Sequence, residues 1–309
     1  MHDPSSTTSE PPKVTEVLSR EEIQELKAKS DLAGVTTLAV TWAMIFGCFV
    51  LVAQWPNPLT ILFAWVVLAG RQLGLAVITH DAAHQSLFRT QALNRLAGNW
   101  LSGSLVFVEM DSYFEEHRLH HRCAGSPDDP DLTNYQSYAV SKASLCRKVI
   151  RDLTGQTGTK ALRFFFSQSA SIWWQSVVAN GILFTVLTVS GYPLLYVLWI
   201  GTWLTSYMLV SRLRQAAEHA VVPKLDDPDP RMHTRTTMAS WWERMTLAPN
   251  YVNYHLEHHL LPGIAPHQYP RMHRLLTARG FYEHADIAPN YSDVVSRLTF
   301  KNGPATAGS

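Results

Sequence analysis

A long apolar run near the start of the sequence limits what this chain can fold into. It extends from Leu32 to Trp55 and contains no charged residue. About 20 apolar residues in a helix cross the ~30 Å hydrocarbon core of a bilayer. The run therefore predicts a membrane-spanning helix, and its charge-free length disfavours the alternative, a buried helix of a soluble protein.

Three more apolar segments follow, and turns connect the four runs in pairs. Pro56-Asn57-Pro58 separates the first two runs and Gly191-Tyr192-Pro193 separates the last two, and both tripeptides are typical of tight turns. The pattern predicts two hairpins of membrane spans. The expected spans are residues 32–55, 59–79, 172–190 and 194–210.

Arg71 interrupts the second predicted span. An ionisable side chain in lipid is costly, so it indicates a functional role. Two alternatives are a position near the interface, from which the side chain snorkels to water, and a pair with an acid of the cap.

The placement of Lys and Arg predicts the orientation of the spans. Neither turn carries a basic residue, and apart from Arg71 all Lys and Arg lie in the N-terminal arm, within residues 88–171 or after residue 210. Basic segments stay on the cytoplasmic side, so both termini are expected there. We expect a multi-pass protein of a bacterial inner membrane.

The fold class predicted from these patterns is all-α, an integral membrane protein with a helical cytoplasmic cap. Residues 1–31 form a polar N-terminal arm with a short helix, and residues 32–290 form the membrane domain. Its cap comprises residues 80–171 and 211–290, and residues 291–309 form a C-terminal tail. The formal net charge of +1 gives no indication of a nucleic-acid partner.

Histidine is concentrated in four short segments of the chain. Nine of the 14 His lie in HDAAH, HRLHH, RQAAEH and HLEHH. Residues three or four apart share a face of a helix, so each multi-histidine segment can present its rings together. The nine are His80, His84, His117, His120, His121, His219, His255, His258 and His259.

These histidines predict a metal centre at the membrane surface. Imidazole suits zinc, copper, iron and nickel. One zinc takes three or four ligands, so nine histidines are too many for a single ion. Two metals with four or five histidines each fit the number, and open positions on redox-active iron favour oxygen chemistry.

Three stretches resemble the histidine boxes of the integral-membrane fatty acid desaturases, within the wider membrane desaturase and hydroxylase superfamily. They are HDAAH, HRLHHRCAGSPDDPDL and NYHLEHHLLPG, and the resemblance extends from about Leu32 to Arg279. It implies that the eight box histidines bind two non-haem irons, with His219 as a further ligand. It also implies an oxidoreductase of lipid metabolism, which uses O2 as co-substrate to place a double bond in an acyl chain.

Two other functions stay open on the sequence alone. A hydroxylase or ketolase uses the same scaffold, although HLEHH and the Asp-Pro-Asp run after the second box favour desaturation. A membrane metal carrier or sensor would need ionisable residues within the spans, where only Arg71 is found. The expected partners are the bilayer, the acyl substrate and a separate electron donor of ferredoxin, rubredoxin or cytochrome type, because no GxGxxG motif for a nicotinamide or flavin follows a strand pattern.

Polar neighbours of the histidines are candidates to support them. Acids could hold imidazole N–H groups, and Gln215 could face the metals through water, whereas ordinary surface roles are the alternative for each. The candidates are Asp81, Glu116, Gln215, Glu218 and Glu257. Asp128, Asp129 and Asp131 are expected to pair with arginines of the cap. His233, His267 and His273 lack the spacing and are expected to be packing or surface residues.

Overall fold

The computed structural model describes residues 13–300, which are predominantly helical. The N-terminal arm contains α1 (Val14–Val17) and α2 (Arg20–Leu26). Ser19 caps α2, because its hydroxyl accepts the Glu22 N–H while the Glu22 carboxylate accepts the Ser19 N–H. Glu22 also pairs with Arg279, which fastens the arm to the rest of the molecule. Residues 1–12 of the predicted arm lie outside the described residues.

Two long apolar helices follow, α3 (Asp31–Gln54) and α4 (Pro58–Ala83). Asn57 begins α4, since its side-chain oxygen accepts the N–H groups of Leu59 and Thr60. The helix α4 extends four residues beyond the predicted end at 79. HDAAH therefore starts inside the last turn of α4 rather than after it.

The segment between the second and third apolar helices contains five short helices. They are α5 (Gln91–Arg95), α6 (Met110–Cys123), α7 (Leu132–Tyr135), α8 (Lys142–Leu153) and α9 (Gln156–Ser167). A π-helical turn at Leu96–Trp100 and a 3₁₀ turn at Gly103–Val106 lie between α5 and α6.

Part of this segment enters the helix bundle instead of staying in a cap. Backbone carbonyls of the irregular stretch accept hydrogen bonds from side chains of the apolar helices: Leu101 from Trp42, Ser104 from Asn180, and Val106 from Trp203. Irregular backbone at such depth needs partners of this kind. The predicted cap 80–171 is therefore not one separate layer.

The third and fourth predicted spans correspond to three helices, α10 (Ala170–Val189), α11 (Leu194–Leu204) and α12 (Ser206–His219). Thr205 separates α11 from α12 with non-helical backbone angles. Gly158 of α9 lies against Leu204 at this break, so closely that a Cβ atom would overlap the Leu204 backbone. Helix α12 continues past residue 210, the predicted end of the fourth span, and His219 is its last residue.

The remaining chain combines short helices with a pair of strands. The helices are α13 (Pro230–His233), α14 (Trp241–Thr246), α15 (His255–Leu260), α16 (Tyr269–Ala278) and α17 (Tyr291–Arg297). Strands β1 (Arg235–Thr237) and β2 (Asp286–Ala288) pair in parallel, so an all-α class is not strictly correct. The buried Arg235 guanidinium pairs with Asp286 across the two strands.

The end of the described chain is packed rather than extended. Within the predicted tail 291–309, Tyr291, Val294 and Leu298 are buried against the body. Apolar side chains at this spacing form one face of α17 and explain its attachment. Residues 301–309 lie outside the described residues.

Four helical stretches are long and apolar enough to cross a membrane: Asp31–Gln54, Pro58–Ala83, Ala170–Val189 and Leu194–His219. Their inner faces share one core, to which Phe49, Leu68, Leu183 and Trp199 belong. Their outer faces expose apolar residues, as lipid contact requires. The stretch that forms α4 is the most buried of the four, and α3, α11 and α12 pack against it.

The close contact of α14 with α4 gives a test of this packing. A Cβ atom at Gly70 would lie 2.5 Å from the Met245 carbonyl oxygen. Gly70→Ala should therefore push α14 away and cost about 1–3 kcal/mol, the usual range for overpacking. Thermal unfolding of the purified protein in detergent measures this loss.

Gly47→Ala in α3 is the matched control, because a Cβ atom at Gly47 would meet no described atom within 4 Å outside the backbone of its own helix. An equal loss of stability in both variants would contradict the packing of α14 on α4.

Candidate metal centre

All nine histidines of the four segments come together in the structure. They form two groups, and within each group one nitrogen of every ring lies within 4.8 Å of the others. The five-histidine group contains His80, His84, His117, His121 and His258. The four-histidine group contains His120, His219, His255 and His259.

The ends of four elements position these rings. The last turn of α4 serves only the five-histidine group, and the last residue of α12 serves only the four-histidine group. The helices α6 and α15 each contribute to both groups. In α6, His117 and His121 are one turn apart and share a group, whereas His120 is rotated toward the other.

Ring nitrogens within each group approach one another closely. His121 Nε2 lies 2.8 Å from His258 Nε2 and 3.0 Å from His117 Nε2. In the other group, His219 Nε2 lies 2.9 Å from His255 Nε2. A neutral imidazole carries only one N–H, so hydrogen bonds among the rings cannot satisfy every nitrogen of such a cluster.

His84 is one ring whose nitrogen is not satisfied by a hydrogen bond within the described chain. Its Nε2 is buried and has no hydrogen-bond partner among the described residues. Convergent nitrogen lone pairs, with one nitrogen left without a partner, are the donor set that a bound transition metal satisfies. The residues present therefore fit a metal in each group.

Hydrogen bonds on the opposite ring nitrogens orient four of the histidines. His80 Nδ1 donates to Asp81 at 2.8 Å and His120 Nδ1 donates to Asp129 at 2.9 Å. His219 Nδ1 donates to the His233 carbonyl at 2.9 Å. His258 Nδ1 lies 3.1 Å from the Tyr269 hydroxyl oxygen. A proton held at Nδ1 leaves the Nε2 lone pair free for a metal.

Burial favours the neutral form of several rings in both groups. Burial lowers the pKa of His84 to about 4. Burial, followed by repulsion from His84 and His120, lowers the pKa of His121 to about 2. Burial likewise lowers the pKa of His117 and His259 well below the usual range. Neutral rings are the form that binds metal ions.

Asp129 corrects the expectation that it pairs with an arginine. Its carboxylate accepts hydrogen bonds from His120, from the Gly125 N–H and from the Tyr135 hydroxyl. Burial alone raises the pKa of Asp129, but these donors outweigh burial and hold its pKa well below the usual range. In the sequence, this role of Asp129 is indicated by its place in the Asp-Pro-Asp run after the second histidine segment.

Tyr269 and His233 also support histidines, and neither was expected to. Tyr269 begins α16, where no motif marks it. His233 is buried, and its ring Nδ1 donates to the Asp227 carbonyl at 2.7 Å while its own carbonyl accepts from His219. Only the fold brings these two residues to the centre.

Among the acids predicted to support the nine clustered histidines, Asp81 and Glu218 contact rings of the two groups, whereas Glu116 and Glu257 do not. Glu218 lies 3.4 Å from His255 Nδ1 and 2.5 Å from Arg214 Nε. Glu116 is exposed to solvent. Gln215 is half-buried, and its side chain forms no hydrogen bond with the described residues.

Glu257 departs from its expected role. Its carboxylate accepts hydrogen bonds from Thr236 of β1, from His273 at 2.5 Å and from Tyr282 at 2.6 Å. These contacts point away from both histidine groups. Glu257 instead connects α15 to β1 through Thr236 and to α16 through His273.

Asp129→Asn tests the support of the four-histidine group. The amide can no longer be a charged acceptor for His120, and removing such a partner typically weakens metal affinity about 10–100-fold. Metal content per chain, measured after dialysis against graded chelator, should fall in this variant.

Asp128→Asn is the control, because Asp128 is the exposed neighbour of Asp129 in the same loop. Equal metal retention in the two variants would contradict the role assigned to Asp129.

Comparison with known proteins confirms the resemblance drawn from the histidine segments. The chain is 24% identical to dihydrorhizobitoxine desaturase of Bradyrhizobium elkanii over 273 residues, which cover 79% of this chain and 74% of that protein. It is 30% identical over 104 residues to the Delta(12) fatty acid desaturases of Mortierella isabellina and Mortierella alpina, covering 31% of this chain and 26% of each of those proteins. The fatty acid desaturase family model matches residues 54–288, which include all nine histidines. This chain therefore belongs to the fatty acid desaturase family.

Proposed function

We propose that this protein is a membrane-bound di-iron desaturase that uses O2 to place a double bond in the acyl chain of a lipid. Family membership supports the reaction type. The observation that carries the proposal is the convergence of nine histidines into a group of five and a group of four. Two metals with open positions are what O2-dependent chemistry needs.

The five-histidine group and the four-histidine group would each hold one iron. Imidazole nitrogens suit iron, and the family supports iron over other metals. Bound iron would supply the activation of O2 that breaks unactivated C–H bonds. The four-histidine group would offer its metal one imidazole nitrogen fewer than the five-histidine group.

The protein's own contribution is orientation and exclusion of water. Four histidine rings are held in place by contacts of their Nδ1 atoms. The partners are Asp81, Asp129, Tyr269 and the His233 carbonyl. Seven of the nine histidines are buried, while His84 and His121 are only partly so. A dry, rigid layer of this kind fixes which carbon can approach the metals.

The membrane setting supports an amphiphilic substrate. We propose that the histidine end of the bundle faces the cytoplasm, on the basis of the basic residues around it. The indole rings of Trp241 and Trp242 in α14 are exposed, as in the aromatic belts of membrane interfaces. Electrons would come from a separate donor protein.

The relatives support desaturation more firmly than a particular substrate. The relative matched over most of its length is named for dihydrorhizobitoxine, and the matches to proteins named for fatty acids cover a third of this chain. An acyl lipid is our proposal because His80 and His219 lie at or near the ends of candidate membrane spans, Pro58–Ala83 and Leu194–His219.

Lipid profiling of a host with and without the protein tests the proposal. Cells that express the wild type should gain an unsaturated product, and the purified protein should contain two irons per chain. His258→Ala should reduce the product at least about 100-fold, because His258 contributes to the five-histidine group.

His284→Ala is the matched control, since His284 is exposed and belongs to neither group. A hydroxylated product with no new double bond would overturn desaturation. One zinc per chain and no iron would overturn the di-iron proposal and favour a metal carrier or sensor.

A further inference from the structure

Arg71 is a buried cation in the middle of α4, within a candidate span. Only 3% of its surface is exposed. Among the described residues, no carboxylate forms an ion pair with it, so neither the snorkelling nor the paired alternative applies. A buried charge is costly unless an opposite charge or strong acceptors compensate it.

The hydrogen bonds of Arg71 satisfy only part of its guanidinium. Nη2 donates to the carbonyls of Arg244 at 2.7 Å and Met245 at 2.8 Å. Nη1 faces the Met44 sulfur at 3.5 Å, which is a weak acceptor. Nε is buried and has no partner among the described residues.

By donating to these two carbonyls, Arg71 holds the end of α14 against α4. This role uses only one of the three guanidinium nitrogens. The two carbonyls belong to the last turn of α14, where helical carbonyls lack partners within their own helix. Carbonyl dipoles satisfy two N–H groups, but they do not neutralise a full positive charge. The remaining donors and the charge still require an acceptor.

A cavity of about 290 Å³ opens beside this guanidinium. It lies between α3, α4 and the stretch that runs from α14 to α15. Polar residues from three directions line it together with Arg71: Thr36, Thr37, Arg244, Asn250 and Asn253. No acidic residue belongs to the lining.

Strained backbone forms one wall of the cavity. Asn250 and Tyr251 both have positive φ angles, of 54° and 66°, which non-glycine residues adopt at a cost. Asn250 keeps this conformation by donating to the Gly74 carbonyl of α4 at 2.9 Å. Such strain is often retained at ligand sites, and here both strained residues, together with Asn253, line the cavity.

The wall on α3 is polar at Thr36 and Thr37 and apolar further along the helix. Val40 and Met44 form the apolar part, and Val40 is 52% exposed. The cavity thus combines a cationic base with an apolar mouth on the surface of a candidate span.

We propose that the cavity beside Arg71 binds one anionic group, a carboxylate or a phosphate, at the head of an apolar chain. Arginine offers a planar set of N–H donors that matches both anions. The anion neutralises the buried charge, and its chain follows the apolar wall. This site is separate from the histidine groups, and its occupation does not depend on the reaction proposed above.

Three probes with the same chain length test the charge requirement: dodecanoate, dodecyl phosphate and dodecan-1-ol. The protein purified in a neutral maltoside detergent should bind both anions and unfold several degrees higher in their presence. The alcohol should have no such effect at the same concentration. Arg71→Gln should weaken anion binding at least tenfold.

A second variant separates loss of binding from loss of the α14 contact. Val40→Trp fills the cavity mouth without removing a charge or a hydrogen bond, and it should weaken anion binding equally. Val50→Trp is its matched control, because Val50 lies on the same helix, is 58% exposed and does not line the cavity. Equal stabilisation by the alcohol, or unchanged anion binding in both Arg71→Gln and Val40→Trp, would overturn the proposal.

Two further measurements identify the occupant and isolate this site. A phospholipid that mass spectrometry detects on the purified wild type and not on Arg71→Gln would identify a membrane phosphate. Dodecanoate binding without a retained phospholipid would identify a carboxylate amphiphile. His258→Ala should bind the anions like the wild type, so the site can fail or succeed independently of the proposed reaction.

Discussion

The close approach of nine imidazoles is the constraint on which the rest of the structure depends. Rings that crowd lone pairs within 4.8 Å of one another repel unless a cation lies among them and their other nitrogens have partners. Four helix ends must therefore meet at one level, and acids, carbonyls and a tyrosine must surround them. The short helices, the strand pair and the packed C-terminal segment all contribute to holding these ends together.

The sequence predicted the apolar helices and the histidines well, because both signals are local. Hydropathy identifies where a helix is apolar, yet α4 and α12 remain helical beyond that point, to Ala83 and His219. Their last turns carry polar residues that hydropathy does not count. For the same reason the prediction placed HDAAH after a helix, whereas His80 and Asp81 lie within it.

The division of the histidines and the roles of their neighbours depend on tertiary structure. His120 and His121 are adjacent in sequence but serve different groups, because successive residues on a helix point about 100° apart. The same rotation directs Glu257 away from both histidine groups, although it stands beside His258. Asp129 approaches His120 only through the turn after α6, which no helical periodicity describes.

Arg71 and His80 lie on one unbroken helix, nine residues apart. At 1.5 Å per residue their backbones are separated by about 13 Å along its axis. The helix α4 therefore acts as a molecular ruler between the anion-binding cavity and the histidine groups. One residue inserted between them would lengthen this ruler by about 1.5 Å and rotate one end by about 100°, so the two sites could not remain on their present sides. Their separation can change only in steps of whole helical turns.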